Sequence, residues 1–507
     1  MSVTWRRWIV YALVALFAGL FIASLHDRKM HGDDAWLGEQ AYWMSKLGYV
    51  RSNLFRGMLD YDERQTVYHK LFIWTGAAAV KTLGWSLYNL KAVSLLFYCI
   101  FVVASYAHFR RKSSRFSPGS FWLFTALMLS APLVFRYAFI YRPEVMLMTL
   151  GFLSFHFLDV GRSAESAGQG LEPGGREAGG RALLAGVFAG LGLVTHLNGW
   201  IFIAAGLAIL LSRRAGRPAL AFVAGAAAAS ALYFLDLASM ERLRLFAYQM
   251  RNDLPIGQAG AWTRLLYLAY EPRRFFYSIR EIFPSALLVL SLAFAWKALV
   301  AKHREVLIYL AVLVVGLALL SRPRPSYYIV IYMPYIAMVI TAALTHAGSL
   351  ARFKRYALTA FVVANFAVSF FLSVSLIRAA GPLAAQNARI ASVIPRGVPV
   401  AAPAGFIFNE IASYEIQGLT FYDRYAERRG TRLGAADFFA LASSFGNAYV
   451  ILDAEFAGKI GLRTLPEGTV QGQYMLLRTV EDRQIFKAVD GPTSPETASR
   501  EKPGEPT

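Results

Sequence analysis

The feature that most constrains this chain is a succession of apolar runs of bilayer-crossing length, joined by short charged or Gly- and Pro-containing connections. About eleven can be counted, near residues 8–25, 87–109, 117–135, 142–160, 182–197, 199–212, 217–236, 282–300, 304–320, 325–344 and 356–378. A spanning helix needs roughly 20 predominantly apolar residues. The fifth and sixth runs are short and are separated only by 195–199. With 56% hydrophobic and 17% charged residues, the chain cannot be an ordinary soluble protein and must bury most of its surface in lipid. An α-helical polytopic membrane protein with about 11 transmembrane helices is expected.

Loop charges orient these runs. The first follows Arg6 and Arg7, is long for a signal-peptide core, and has no small-x-small site before His26, so a retained span is expected. Arg110, Arg111, Lys112 and Arg115, then Arg162, Arg176 and Arg181, then Arg213, Arg214 and Arg217, then Lys297, Lys302 and Arg304, then Arg352, Lys354 and Arg355 all fall on the side of Arg6 and Arg7. That is the cytoplasmic side by the positive-inside rule, which places the amino terminus in the cytoplasm. The net charge of +20 is therefore a matter of topology and membrane lipids, and no nucleic-acid partner is expected. The lone Cys99 lies in an apolar run and can form no intrachain disulfide.

The opposite side carries a first outer loop with juxtamembrane helices (26–85), short turns near 136–144, 195–199 and 321–328, a long outer loop (237–281), and everything after about 379. The long loop breaks the charge bias, with Arg242, Arg244, Arg251, Arg264, Arg273, Arg274 and Arg280. Arginine at that density suits an anionic lipid phosphate. The 160–181 connection is rich in Gly, Ser and charge and is expected to be flexible, and Gly186 with Gly190 form a GxxxG suited to close helix packing. Beyond 378 the runs VPVAAPAGFIFN, LTFYD, NAYVILD and QYMLLRTV resemble short strands, while Ala435–Ser444 looks helical. A small extracytoplasmic soluble α/β domain at 379–490 is expected, following a membrane domain at 1–378 and preceding a Pro/Glu/Ser/Thr-rich disordered tail at 491–507. It shows no Gly-rich phosphate loop and no Cys/His metal spacing.

Chemistry-bearing residues gather on the outer side. Asp33 and Asp34 follow the first span; adjacent carboxylates raise one another's pKa by repulsion. They can supply a general base, or cap the helix expected at 35–47, or divide the two roles between them. That helix is amphipathic and suits either the membrane interface or packing against its neighbours. His69 and Lys70 open the apolar run 71–80, where Lys70 can bind a lipid phosphate or snorkel; Lys91, just inside the second span, is expected to snorkel. Pro143 suits a first helical turn and places Arg142 and Glu144 together at the outer end of the fourth span, as a site or an internal salt bridge. His196 and Asn198 occupy an outer turn, where a lone His is commonly hydrogen-bonded structure. Arg322, Arg324, Tyr327 and Tyr328 share that side, where an aromatic interface belt is the alternative. A hydroxyl or amine attacking the anomeric carbon of a sugar on a lipid phosphate would need such a set: a base beside the attacking group, and cations on the departing phosphate.

The ordered set resembles the GT-C membrane glycosyltransferases, in the group of protein O-mannosyltransferases, lipid A aminoarabinose transferases and rhizobial lipid A galacturonosyltransferases. The matching residues are Asp33 and Asp34 in HGDDAWLGEQAYWM, His69 and Lys70 in YHKLFIW, Arg142 with Glu144, the turn Thr195, His196, Asn198, Gly199, and Arg324, Tyr327, Tyr328 before Pro334. The proline usual after the His/Lys motif is missing. The resemblance spans roughly 8–378 and implies a hexosyl- or pentosyltransferase of the bacterial inner membrane, its C-terminal domain periplasmic. It implies inverting transfer from a polyprenyl-phosphate sugar donor to an acceptor hydroxyl on a lipid, glycan or protein. Asp33 would be the base with Asp34 beside it, and His69, Lys70, Arg142, Glu144, His196, Asn198, Arg324, Tyr327 and Tyr328 would bind substrate. No cofactor is assigned, and a divalent cation is admitted. The competing reading is a transporter or flippase of a lipid-linked or anionic substrate. It should show paired half-repeats and mid-span charges, and neither is visible.

Overall fold

The computed structural model describes residues 3–26, 28–112, 116, 119–166, 176–253, 260–321, 326–347, 350–377 and 383–489. The described elements before residue 378 are all helices: α1 (Val3–Ser24), α2 (Gly32–Leu47), α3 (Lys70–Leu83), α4 (Leu87–Arg111), α5 (Ser120–Ser130), α6 (Pro132–Tyr137), α7 (Pro143–Ser166) and α8 (Arg176–Thr195). It continues with α9 (Trp200–Ser212), α10 (Gly216–Ala231), α11 (Met240–Asn252), α12 (Ala261–Tyr270), α13 (Pro272–Phe275), α14 (Ile279–Leu320), α15 (Ile329–Thr345) and α16 (Arg352–Ile377). The expected apolar runs fall on these helices, the 117–135 run being divided between α5 and α6 at Ala131. Among the described residues, six helices are long and apolar enough to cross a membrane: α1, α4, α8, α10 with its 3-10 extension to Phe234, α14 and α16. In α14 two of the runs join in one 42-residue helix, broken by non-helical backbone at His303. Of the expected flexible connection at 160–181, residues 167–175 lie outside the described residues, and helix extends into both flanks.

Close packing of small residues holds the centre. A side chain on Gly186 or Gly190 of α8 would collide with the α10 backbone at Phe222 and Ala226, and one on Gly225 of α10 would strike Leu183. The GxxxG therefore packs helices, as small residues do when backbones approach closely. At the end of the bundle holding Lys112 and Arg213, polar side chains pair internally. Lys112 Nζ is 3.0 Å from Asp159 and Arg213 is 3.7 Å from Glu305. Asp33, His69, Arg142 and His196 come together at another place, where α2, α3, α7 and the 197–199 turn converge.

The segment between α2 and α3 is fixed by one buried acid. Glu39 accepts the Ser52 hydroxyl at 2.5 Å, the Asn53 N–H at 2.7 Å and the Leu54 N–H at 3.2 Å. Burial pushes its carboxyl up to about 7 against the pull of those donors. Gln249 of α11 holds the next stretch, accepting from the Thr66 N–H at 2.8 Å and donating to the Leu59 and Arg64 carbonyls. α2 buries residues on most of its circumference, including Ala35, Leu37, Gly38, Glu39, Gln40 and Ala41, so packing against neighbours accounts for its amphipathic pattern.

After α16 come α17 (Leu383–Ala391), β1 (Pro399–Ala402), α18 (Ile407–Glu410), β2 (Glu415–Gly418), α19 (Leu419–Arg428), α20 (Ala435–Ser444), β3 (Tyr449–Leu452), α21 (Ala454–Lys459), β4 (Val470–Gln471), β5 (Tyr474–Val480) and β6 (Arg483–Ala488). The strands form one sheet in the order β2-β1-β3-β6-β5-β4, parallel among β2, β1 and β3 and antiparallel from β3 to β4. Two expectations fail here: in VPVAAPAGFIFN only Pro399–Ala402 is strand, FIFN falling in a 3-10 turn and α18, and LTFYD is the start of α19, not a strand. Strand β2 ends at Gly418 and the chain must cross over past β1 to the parallel β3, and the buried Leu419, Phe421, Tyr422 and Ala426 describe one face of a helix. The expected disordered tail at 491–507 lies outside the described residues. The sheet shares one apolar cluster with α2 and the 50–61 stretch. Backbone joins the two, with the Gly418 N–H donating to the Leu54 carbonyl at 3.0 Å.

Candidate functional site

The first turn of α2 separates the two adjacent aspartates. His31 is the N-cap in extended conformation, its Nδ1 accepting the Asp33 N–H at 3.2 Å, while the Asp34 carboxylate accepts the His31 N–H at 2.7 Å. This reciprocal arrangement satisfies donors that a helix start leaves open. Asp34 also accepts the Tyr141 N–H at 2.5 Å and lies 3.9 Å from Lys91 Nζ. It is wholly buried, and burial raises its carboxyl above the usual range against the pull of Lys91 and the two N–H groups. Asp34 thus pins α2 to the turn before α7. Lys91 does not snorkel: it is buried, donating to the Arg28 carbonyl at 3.2 Å and facing Asp34. A buried carboxylate within reach holds the ammonium inside.

Asp33 turns elsewhere. Its side chain is 34% exposed and pairs with Arg142. Arg142 is itself buried and gripped by Glu144, Nε to Oε2 at 3.1 Å and Nη2 to Oε1 at 2.7 Å, with its guanidinium 4.0 Å from the centre of the Tyr327 ring. Tyr137 stands behind it at 5.7 Å. One arginine therefore joins two carboxylates. The planar fork gives that geometry its specificity, and the charge cannot be titrated away. Beside it, His31 is pushed down to about 4 by burial and by the Arg142 and Arg136 cations, so it is neutral near pH 7 and its Nδ1 is free to accept.

His69 and His196 meet face to face, ring centroids 4.5 Å apart at 19°. Burial pushes His69 down to about 4, and burial with the neighbouring His69 and Arg142 takes His196 well below the ordinary value. Both rings are neutral near pH 7. Asn198 enters through its backbone: its N–H donates to His196 Nδ1 at 3.0 Å, which turns Nε2 toward the Tyr328 hydroxyl at 3.4 Å. Tyr328 lies 5.5 Å from the Arg274 guanidinium, which is bound by Glu271 at 2.8 Å and donates to Ser321 at 2.9 Å.

Lys70 starts α3 and is buried, so of its two expected roles snorkelling does not occur. Its ammonium is paired with Asp236, which also accepts the Tyr68 hydroxyl at 2.8 Å, and it lies over the Tyr68 and Tyr233 rings at 4.7 and 4.8 Å. Asp236, Glu271, Tyr68 and Glu39 escaped the sequence reading. Asp236 offered the clearest signal, a single acid just past an apolar run.

Asp33, Arg142, Glu144 and Tyr327 thus form one cluster, which His69, His196 and Tyr328 adjoin. Lys70 lies next to His69 in the chain but its charge is directed to Asp236, and Arg324 lies outside the described residues. Among the described residues, no three His, Cys, Asp or Glu side chains gather as a cation site. Arg142 pairs with both Asp33 and Glu144.

No protein-family model matches the sequence, and no curated protein matches it. Solved structures do. The crystal structure of ArnT from Cupriavidus metallidurans in the apo state superposes with a TM-score of 0.61 at 16% identity, covering 94% of this chain and 97% of that one. The same protein bound to undecaprenyl phosphate gives 0.60 at 15%, covering 96% and 98%. The archaeal oligosaccharyltransferase AglB from Archaeoglobus fulgidus, in complex with an inhibitory peptide and a dolichol-phosphate, gives 0.51 at 12%, covering 90% and 70%. The chain has the fold of the GT-C membrane glycosyltransferases, a multi-pass helical membrane part with a small C-terminal sheet.

Proposed function

We propose that this GT-C-fold chain is an inverting glycosyltransferase that moves a sugar from a polyprenyl-phosphate donor to an acceptor hydroxyl. The observation that carries the reading is the cluster at Asp33: a partly exposed carboxylate beside an arginine that a second, buried carboxylate holds in place. The acceptor oxygen attacks the anomeric carbon from the face opposite the phosphate, Asp33 takes its proton, and the bond from C1 to the phosphate oxygen breaks. Configuration inverts because a single displacement occurs. The departing lipid phosphate exchanges for Asp33 at the Arg142 fork, while Glu144 and Tyr327 keep the guanidinium in place. His69, His196 and Tyr328, neutral side chains beside the cluster, orient the sugar. The ArnT structure with undecaprenyl phosphate and the AglB structure with a dolichol-phosphate support a donor of this class.

Arg142→Lys keeps the charge opposite Glu144 but loses the fork. It should weaken use of the donor by roughly ten- to a hundredfold, read as a raised KM for a purified undecaprenyl-phosphate sugar. Lys70→Ala should weaken it on the same scale if donor phosphate draws the Lys70 ammonium from Asp236. Unchanged donor kinetics in both variants would leave internal ion pairing as the account of these residues.

The proposed site is periplasmic in a bacterial inner membrane, the membrane part covering 1–378 and the soluble part 379–490. Support comes from the loop cations, which concentrate at the end of the bundle away from Asp33. A reporter active only in the periplasm, fused after Ala380, should be active. A well-expressed but inactive fusion would overturn this orientation.

A further inference from the structure

We infer that the acceptor is anionic, and that Arg424 receives its phosphate or carboxylate group while its hydroxyl lies at Asp33. The inference rests on the transferase reading and adds the substrate class. Arginines at the junction between the C-terminal sheet and the 50–61 stretch are otherwise engaged. Arg56 is 2.5 Å from Glu415 and donates to the Phe445 carbonyl, and Arg428 donates to the Asn252 carbonyl. Arg424 is different. Its guanidinium lies 5.7 Å from the centre of the Trp36 ring and 5.6 Å from that of Phe55, two rings packed edge to face at 5.4 Å. Among the described residues no hydrogen bond or ion pair is formed by its side chain. A guanidinium beside aromatic rings keeps the planar fork of N–H donors that fits phosphate or carboxylate.

Its position connects it to the reaction. Trp36 lies three residues beyond Asp33 on α2, so the two share a helical face with Cβ atoms roughly 5–6 Å apart. Asp34 and Glu39 anchor that helix on its buried sides, leaving Asp33 and Trp36 both partly exposed. A saccharide lying along this face would present a hydroxyl to the carboxylate at one end and an anionic substituent to Arg424 farther on. Arg424 would then set specificity from the C-terminal unit, which provides no other part of the cluster at Asp33.

The test is ligand binding to the purified full chain in phosphatidylcholine nanodiscs, by saturation-transfer NMR at fixed ionic strength. The probes are glucose 6-phosphate, galacturonate and neutral glucose. The wild type should bind at least one of the two anions and not glucose. Arg424→Gln should bind that anion at least tenfold more weakly, and Arg424→Lys should fall between, with melting temperatures close to wild type. Equal binding by wild type and Arg424→Gln, or equal binding of glucose and the anions, would overturn the inference. So would displacement of the anion by phosphatidylglycerol nanodiscs, which would make a bilayer headgroup the ligand. Binding needs no turnover. A failure of the transferase reading would therefore appear in activity and leave this measurement unchanged.

Discussion

Asp33→Asn is expected to leave the protein folded and to lower sugar transfer by roughly a hundredfold or more, the scale for losing a general base. The substitution keeps the size of the side chain and removes only its ability to take a proton. Stability should change little. Asp33 makes no cap contact through its side chain, since the capping acid is Asp34, and Arg142 keeps its two contacts to Glu144 when Asp33 loses its charge. The pair being broken is one-third exposed on the Asp33 side, and ion pairs with access to water are worth about 1 kcal/mol or less. The variant should therefore purify and melt like wild type while turning over slowly. Undiminished transfer in a well-folded Asp33→Asn protein would remove the proposed base.

The neighbouring substitution should behave in the opposite way. Asp34→Asn places an amide NH2 where the His31 N–H now donates, and it leaves Lys91 buried without its facing carboxylate. Breaking a buried charge pair from one side costs about 3–5 kcal/mol, and an unsatisfied buried N–H adds to it. The expected result is a melting temperature lower by several degrees and a reduced yield of folded protein, with the transfer rate per folded molecule falling far less than in Asp33→Asn. Thermal melts alongside transfer assays separate the two effects. A stable but inactive Asp34→Asn would exchange the roles assigned to the two aspartates.

How much of this was legible follows from how far apart the partners lie in the chain. The helix around 32–47 was readable because its signals are local: acids in the first turn and Gly48 in the left-handed conformation at its end, φ 75°. The importance of the Asp33 and Asp34 pair was also local, but the division of labour was not. It depends on which carboxylate meets the Tyr141 N–H and Lys91, and neither is near in sequence. Lys70 and Asp236 are 166 residues apart, and Tyr328 and His196 are 132 apart. Sequence order brought His196 and Tyr328 to one side of a membrane without saying that they touch. Lys91 is expected to snorkel, and Lys70 either to bind a lipid phosphate or to snorkel, because a partner acid from a distant segment gives no local sign. LTFYD fits a strand for a related reason: its Leu, Thr, Phe and Tyr suit a strand by composition, and only the later Ala426 completes the helical face. In the membrane part, length and hydropathy decide the helices almost alone.

The most direct measurement follows the fate of the lipid carrier. Purified protein in proteoliposomes, supplied with an undecaprenyl-phosphate sugar and a cell-envelope extract as acceptor, should release free undecaprenyl phosphate with time, detected by mass spectrometry. The wild type is predicted to release it as sugar appears on the acceptor, and Asp33→Asn to release it roughly a hundredfold more slowly. Movement of the intact lipid-linked sugar across the vesicle membrane, with no undecaprenyl phosphate released and no difference between the two proteins, would contradict the account and identify the chain as a translocator.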